Sequence, residues 1–177
     1  MNIPRLETDR LILRALQESD LDRYADMMAD EEVARFIGGT INREDSWRYM
    51  ASVMGHWHWR GFGFFALQEK ETGAFLGRVG PWRPEGWPGI ELGWTLTRQA
   101  WGKGYATEAA TASINWIFEQ KPALERIISV IDDSNTNSQA VARRLGQQKT
   151  QEIFHYKEYI LPIWAISREN WYTRQSD

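Results

Sequence analysis

The chain has 177 residues, 42% of them apolar and 25% charged, with a net charge of −3 and no cysteine. That length builds one domain with a full hydrophobic core and is short for two, while the mild acidity argues against nucleic acid as a main partner, because phosphate contacts need a basic surface. The absence of cysteine excludes disulfides, thiolate metal sites and a cysteine nucleophile, so any group transfer is direct or uses another nucleophile.

No apolar run approaches the roughly 18 residues of a membrane span. The opening stretch MNIPRLETDRLILR has neither an apolar signal core nor a cleavage site, which leads to the expectation of a cytoplasmic protein. RLILRAL (residues 10–16) alternates apolar and polar side chains, the period of a half-buried strand. Ser19 is placed to cap a helix, with Asp22 at the third position facing the free N–H groups, and Leu21, Tyr24, Ala25 and Met28 recur at helical spacing. Gly38 and Gly39 break the chain before a second amphipathic helix, which runs from Arg43 to about Trp59. Gly61 and Gly63 punctuate the entry to FGFFALQEKETGAFLGRVGPW, a strand, a turn at Glu71-Thr72-Gly73 and a second strand.

RPEGWPG is a Pro/Gly loop, and IELGWTLT (residues 90–97) is a further strand. It leads into RQAWGKGYATEA and a helix with Ala106, Ala109, Ala110, Ser113, Ile114 and Ile117 on its small, apolar side. RIISVI is a short buried strand, and DDSNTNSQAVARRLG is a loop feeding a helix that stops at Gly146. Two last strands are expected at about residues 147–155 and 158–167, followed by a polar tail, RENWYTRQSD. Consecutive strands make hairpins and the late helices make crossovers. The fold class is therefore α/β (α+β), one mixed, mostly antiparallel sheet flanked by helices, with residues 1–177 as a single domain. Ten tryptophans are an unusual load. Most serve as core, while those between Trp57 and Trp101 are also candidates to line an acceptor pocket.

A helix start leaves backbone N–H groups unpaired and partly positive. Glycines there admit positive φ and close approach of a ligand. Gly102, Lys103, Gly104, Tyr105 and Ala106 can thus direct N–H groups at a phosphate or pyrophosphate, with Arg98 and Lys103 adding charge. The stretch is neither a P-loop nor a dinucleotide fingerprint. On spacing alone, an anion site and a mere tight strand-to-helix turn both stay open.

Q-A-W-G-K-G fits the [RQ]-x-x-G-x-[GA] acetyl-CoA signature of the GNAT superfamily of N-acyltransferases, and the chain resembles its RimJ/RimL-like branch of N-terminal acetyltransferases. The resemblance is carried by four segments in order: LETDRLILRALQESDLDRYADMMADEEV, IELGWTLTRQAWGKGYATEA, DDSNTNSQAVARRLG and the ending WAISRENW. It implies the GNAT-like acyl-CoA N-acyltransferase fold, in which a central strand splays from its neighbour and the pantetheine arm of acetyl-CoA fills the gap, much as a peptide augments a sheet. By that resemblance backbone groups of Leu92, Gly93 and Trp94 hold the arm. Ala100, Trp101, Gly102, Lys103, Gly104 and Tyr105, with Ala106 and Thr107, cradle the pyrophosphate, and Asn135 lies beside the pantetheine. Arg143 and Arg144 either reach the nucleotide end or remain solvated helix charges.

The implied reaction is acyl transfer from a thioester to an amine, which must lose a proton before it attacks. Glu91, on the strand facing the thioester, is the candidate base. Its other role is to position a strand or loop, and strand alternation can turn it away from the acceptor. The tyrosine that many superfamily members carry near Ala142 is missing, so Ser138 of the N-x-x-S motif is the candidate proton donor, or else only braces its helix. Tyr105 and Tyr156 are secondary candidates. His56 and His58, two apart, point to different helix faces, His155 reads as a strand residue, and no metal is expected. The expected partners are acetyl-CoA and an amine acceptor, either a protein N-terminus or a small molecule, with direct transfer in a monomer or homodimer and no nucleic acid or membrane. A non-catalytic acyl-CoA-binding sensor on the same fold is the alternative, with the missing tyrosine in its favour.

Overall fold

Leu6–Glu7 (β1) and Leu11–Arg14 (β2) pair antiparallel at one edge of an eight-stranded sheet. In β2, Leu11 and Leu13 are fully buried while Ile12 and Arg14 are half-buried, the alternation expected of a strand with one face on the core. The computed structural model describes residues 2–174.

A 3-10 turn at Glu18–Asp20 leads into helix α1 (Leu21–Ala29). The expected Ser19 cap is not formed. Ser19 lies inside the 3-10 turn, and no side chain caps the first amides of α1; Asp20 instead closes the 3-10 turn by accepting from the Gln17 N–H at 2.9 Å, while Arg14 of β2 grips both its carboxylate oxygens at 2.7 Å. A one-turn helix, α2 (Glu31–Ala34), capped by Asp30, was not anticipated. Helix α3 (Arg43–Arg60) starts at the Asn42 cap and ends at Gly61, as its pattern indicates.

The strands β3 (Phe65–Glu69), β4 (Phe75–Trp82) and β5 (Glu91–Leu96) form an antiparallel meander. Then follow α4 (Tyr105–Gln120), β6 (Arg126–Val130), α5 (Thr136–Arg144), β7 (Gln148–Tyr156) and β8 (Tyr159–Ser167). The sheet order is β1-β2-β3-β4-β5-β6-β8-β7. Only β5 and β6 are parallel, and they share a single registered pair, Glu91 with Ile128. Beyond that rung the two strands part.

The expected polar tail is instead a helix, α6 (Arg168–Thr173), except for residues 175–177, which lie outside the described residues. Trp171 is 1% exposed and donates to Asn115 of α4 at 2.8 Å. Arg168 donates to the carbonyls of Phe118, Lys121 and Leu124, satisfying acceptors that the end of α4 leaves open. Ala109, Ala110, Ile114 and Ile117 of α4 are completely buried, so this helix is the floor on which β4 and β5 rest.

Candidate active site

The turn between β5 and α4 is built from two left-handed glycines, Gly102 at φ +74° and Gly104 at φ +80°. Gly104 caps α4 with its backbone alone, so no side chain covers the first amides of the helix. The acid in the first turn, Glu108, also lines the cleft, but its carboxylate is occupied: it accepts from Thr8 at 2.6 Å, from the Arg10 amide at 3.0 Å and from the Arg10 guanidinium at 2.8 Å. The positive end of α4 is thereby left for an external anion. Arg10 also donates to the Lys103 carbonyl at 3.0 Å and lies over the Tyr105 ring at 4.5 Å, which ties the loop to β2. Nothing local marks Arg10 for this role, because it is 93 positions away from the loop it holds.

This loop lies at a cleft of about 990 Å³ between the N-terminal ends of α4 and α5. Trp94, Ala100 and residues 101–107 line it, together with Asn135 and Ser138. Asn135 caps α5 by accepting from the Ser138 N–H at 3.1 Å, and the Ser138 hydroxyl accepts from the Trp94 indole at 3.2 Å across the opening between β5 and β6. With an oxygen lone pair so occupied, the Ser138 proton is free to be donated. Leu92 and Gly93 stay outside the cleft wall. The Leu92 side chain is in the core and its carbonyl accepts from Ser129 at 2.8 Å, while the bare Cα of Gly93 faces the Phe64 ring, which a Cβ would approach to 3.0 Å.

The charges divide in a way that the sequence does not disclose. Lys103 and Arg144 line the cleft, and so does Arg35, which follows α2. Arg98, expected to add charge near the anion, is engaged bidentately by Asp30 at 3.1 Å for each bond. Arg143 lies over the Trp164 ring at 5.2 Å and does not line the cleft.

Glu91 projects from the opposite face of β5 to Trp94. Its Oε2 accepts from the Trp87 indole at 2.6 Å and its Oε1 from the Val130 amide at 3.4 Å, so it spans the mouth of the β5–β6 opening. Burial, above all, pushes its carboxyl above the ordinary glutamate value, against the pull of these donors and of Arg78. Trp87 packs against Phe154 at 5.0 Å and Tyr156 at 5.1 Å, so the Pro/Gly loop and the last hairpin together wall this side.

The other candidates have different surroundings. The Tyr105 hydroxyl turns to Glu69 and away from the cleft. Ala142 is fully buried beside Ile131 and Trp164. His56 is a structural residue: its Nδ1 meets the Phe62 carbonyl at 2.7 Å and its Nε2 accepts from the Arg83 amide at 3.1 Å, which fixes the neutral Nδ1–H tautomer. His58 and His155 are exposed. Among the described residues no cluster of acidic and histidine side chains suited to a metal ion occurs.

Residues 10–148 match the acetyltransferase (GNAT) domain family. The chain is 30% identical to the uncharacterized N-acetyltransferase p20 of Bacillus licheniformis, over 86% of this chain and 87% of that protein. It is 27% identical to the ribosomal protein uS5-alanine N-acetyltransferase of Escherichia coli, over 90% and 86% of the two chains. The crystal structure of an acetyltransferase from Agrobacterium tumefaciens superposes with a TM-score of 0.84 at 31% identity, covering 94% of this chain and 95% of that one.

Proposed function

The chain belongs to the GNAT acetyltransferase family, and we propose that it moves the acetyl group of acetyl-CoA directly to a primary amine, with Glu91 as base and Ser138 as acid. The observation that carries this reading is the parting of β5 from β6 immediately past the Glu91–Ile128 rung, with Glu91 at its mouth and Ser138 on its far wall. The diphosphate of the cofactor rests on the amides of residues 102–106, and the pantetheine runs from there along β5.

The amine gives its proton to Glu91 and its nitrogen attacks the thioester carbon. The tetrahedral intermediate collapses with cleavage of the C–S bond, and the Ser138 hydroxyl passes a proton to the departing thiolate and regains one from water, to which Glu91 returns the proton it took. The raised affinity of Glu91 for a proton suits a base that must act near neutral pH. Trp87 and Val130 hold its two oxygens apart, so the carboxylate is oriented before the amine arrives.

Thiol release from acetyl-CoA in the presence of a panel of amines tests the reading. Glu91→Gln and Ser138→Ala are each expected to lower kcat by about a hundredfold or more, with CoA affinity unchanged. Gly104→Asp is expected to abolish CoA binding, because it places a strained side chain and a negative charge where the diphosphate rests. Tight CoA binding with no thiol release for any amine would instead mark a sensor.

A further inference from the structure

The face of the sheet that carries Glu91 also carries a cation with no counter-charge in contact. Arg78 of β4 is 5% exposed, the only buried arginine among the described residues. Register pairs Arg78 with Thr95, Gly80 with Gly93 and Trp82 with Glu91, so Arg78, Trp82 and Glu91 share one face. Its guanidinium lies 4.1 Å from the Phe64 ring centre and 4.8 Å from that of Tyr49. Nη1 donates to the Tyr49 hydroxyl at 2.9 Å, but Nε and Nη2 donate to no group among the described residues.

Other arginines of the fold show what this edge is for. Arg98 applies the same Nε and Nη2 pair to the carboxylate of Asp30. Arg14 spreads its donors over Gln68 and Asp20, and Arg168 over three carbonyls. Among the described residues, Arg78 alone is both buried and unpaired along that edge. A second polar group beside it is also unpartnered: the hydroxyl of Tyr24, which is fully buried, stacked 6.4 Å from Tyr49 and within electrostatic reach of the guanidinium. Glu91 acts on Arg78 only from beyond contact distance; a buried charge without a partner in contact is costly, and a planar anion with two oxygens is the group that relieves it.

We infer that the acceptor is a small amine carrying its own carboxylate, and that Arg78 receives that carboxylate through Nε and Nη2 while Glu91 faces the amine. This assignment of substrate class rests on the acetyl-transfer reading above. Tyr49 and Trp82, stacked 6.3 Å apart and only half-buried, are the rings on the solvent side of the cluster, so the acceptor enters past them. In a polypeptide the α-carboxylate next to the terminal amine has become a neutral amide, so the pairing selects free amino acids and related amino carboxylates over protein N-termini without an acidic first residue.

The test uses matched acceptors that differ only in a carboxylate or its carboxamide, assayed with wild-type enzyme, Arg78→Met and Arg78→Lys. Wild type is expected to favour the carboxylate partner in kcat/KM by about tenfold to a hundredfold, the worth of a hydrogen-bonded charge pair. Arg78→Met is expected to lose that preference and Arg78→Lys to recover part of it, while CoA affinity stays unchanged and reports an intact fold. Equal use of both partners by wild type, or an equal loss on both in Arg78→Met, overturns the assignment. Thermal shift reads binding apart from turnover: amino carboxylates are expected to stabilise wild type and not Arg78→Met, and no shift with any of them also overturns it. A carboxylate-dependent shift with no acetylation would leave Arg78 as the anchor and remove the acetyl-transfer reading instead.

Discussion

Two titratable side chains near β4 and β5 are buried for opposite reasons. His56 is kept neutral: burial above all holds its pKa below the ordinary histidine value, and its Nε2 is needed as the acceptor of the Arg83 amide. Its contribution to stability is therefore present in full above the unfolded value of about 6.5 and is lost as pH falls through the lowered folded value. Thermal melts are expected to show a fall in Tm on that side, and His56→Phe is expected to be less stable at neutral pH and to lose this dependence. Glu91 has the reverse sign. Its folded pKa is raised, so its ionised form costs stability at pH values above that pKa and costs nothing below the unfolded value. Glu91→Gln is thus expected to melt higher than wild type at pH 8, with the difference shrinking on acidification, even as turnover falls. A lower Tm at pH 8 would place Glu91 as a structural bridge. Neither environment is legible in the sequence, since the donors to Glu91 come from Trp87 in a loop and Val130 on another strand.

Elements whose signals are local are the ones the sequence discloses. The β3–β4 hairpin follows from alternation and a Glu-Thr-Gly turn, and α3 from the stretch between the glycines at 38–39 and at 61. The start of α4 follows from paired glycines, and in both of them φ is positive. α2 and α6 escape because each is short and each depends on a tertiary partner. α6 has a serine cap and one large apolar side chain, too little for a periodicity. It is stable because Trp171 enters the core and Arg168 closes the end of α4. Trp171→Ala is expected to destabilise the protein by about 3–5 kcal/mol, measured by urea unfolding. CoA affinity is expected to hold in the folded fraction, because α6 lies against the far end of α4 from the glycine loop.

At the scale of the whole molecule, the sheet is two parts joined at one rung. β1 to β5 form an antiparallel run and β6 to β8 form another; the Glu91–Ile128 rung joins their backbones, and side-chain bonds of Ser129 to Leu92, Glu91 to Val130 and Trp94 to Ser138 connect them across the opening. A ligand that occupies this opening makes bonds to both parts and to both helix starts. Saturation with CoA at about 100 times its Kd is expected to stabilise the fold by about 2.7 kcal/mol, with hydrogen-exchange protection gained at residues 92–94 and at the start of α5. Stabilisation without added protection at those amides would place the arm elsewhere.

By itself the sequence determined the order of the main strands and longer helices, the glycine turn that opens α4 and the resemblance to the family. These depend on periodicity, on glycine conformation and on motifs a few residues long, which a linear reading contains. Tertiary structure alone decided which charges are free. Arg98 and Arg78 look alike along the chain, yet Asp30 neutralises the first, while the second is enclosed by Tyr49 and Phe64, from distant segments, with no acid in contact. The electrostatic state of a side chain is the sum of what surrounds it in space, and that sum exists only once the strands have paired.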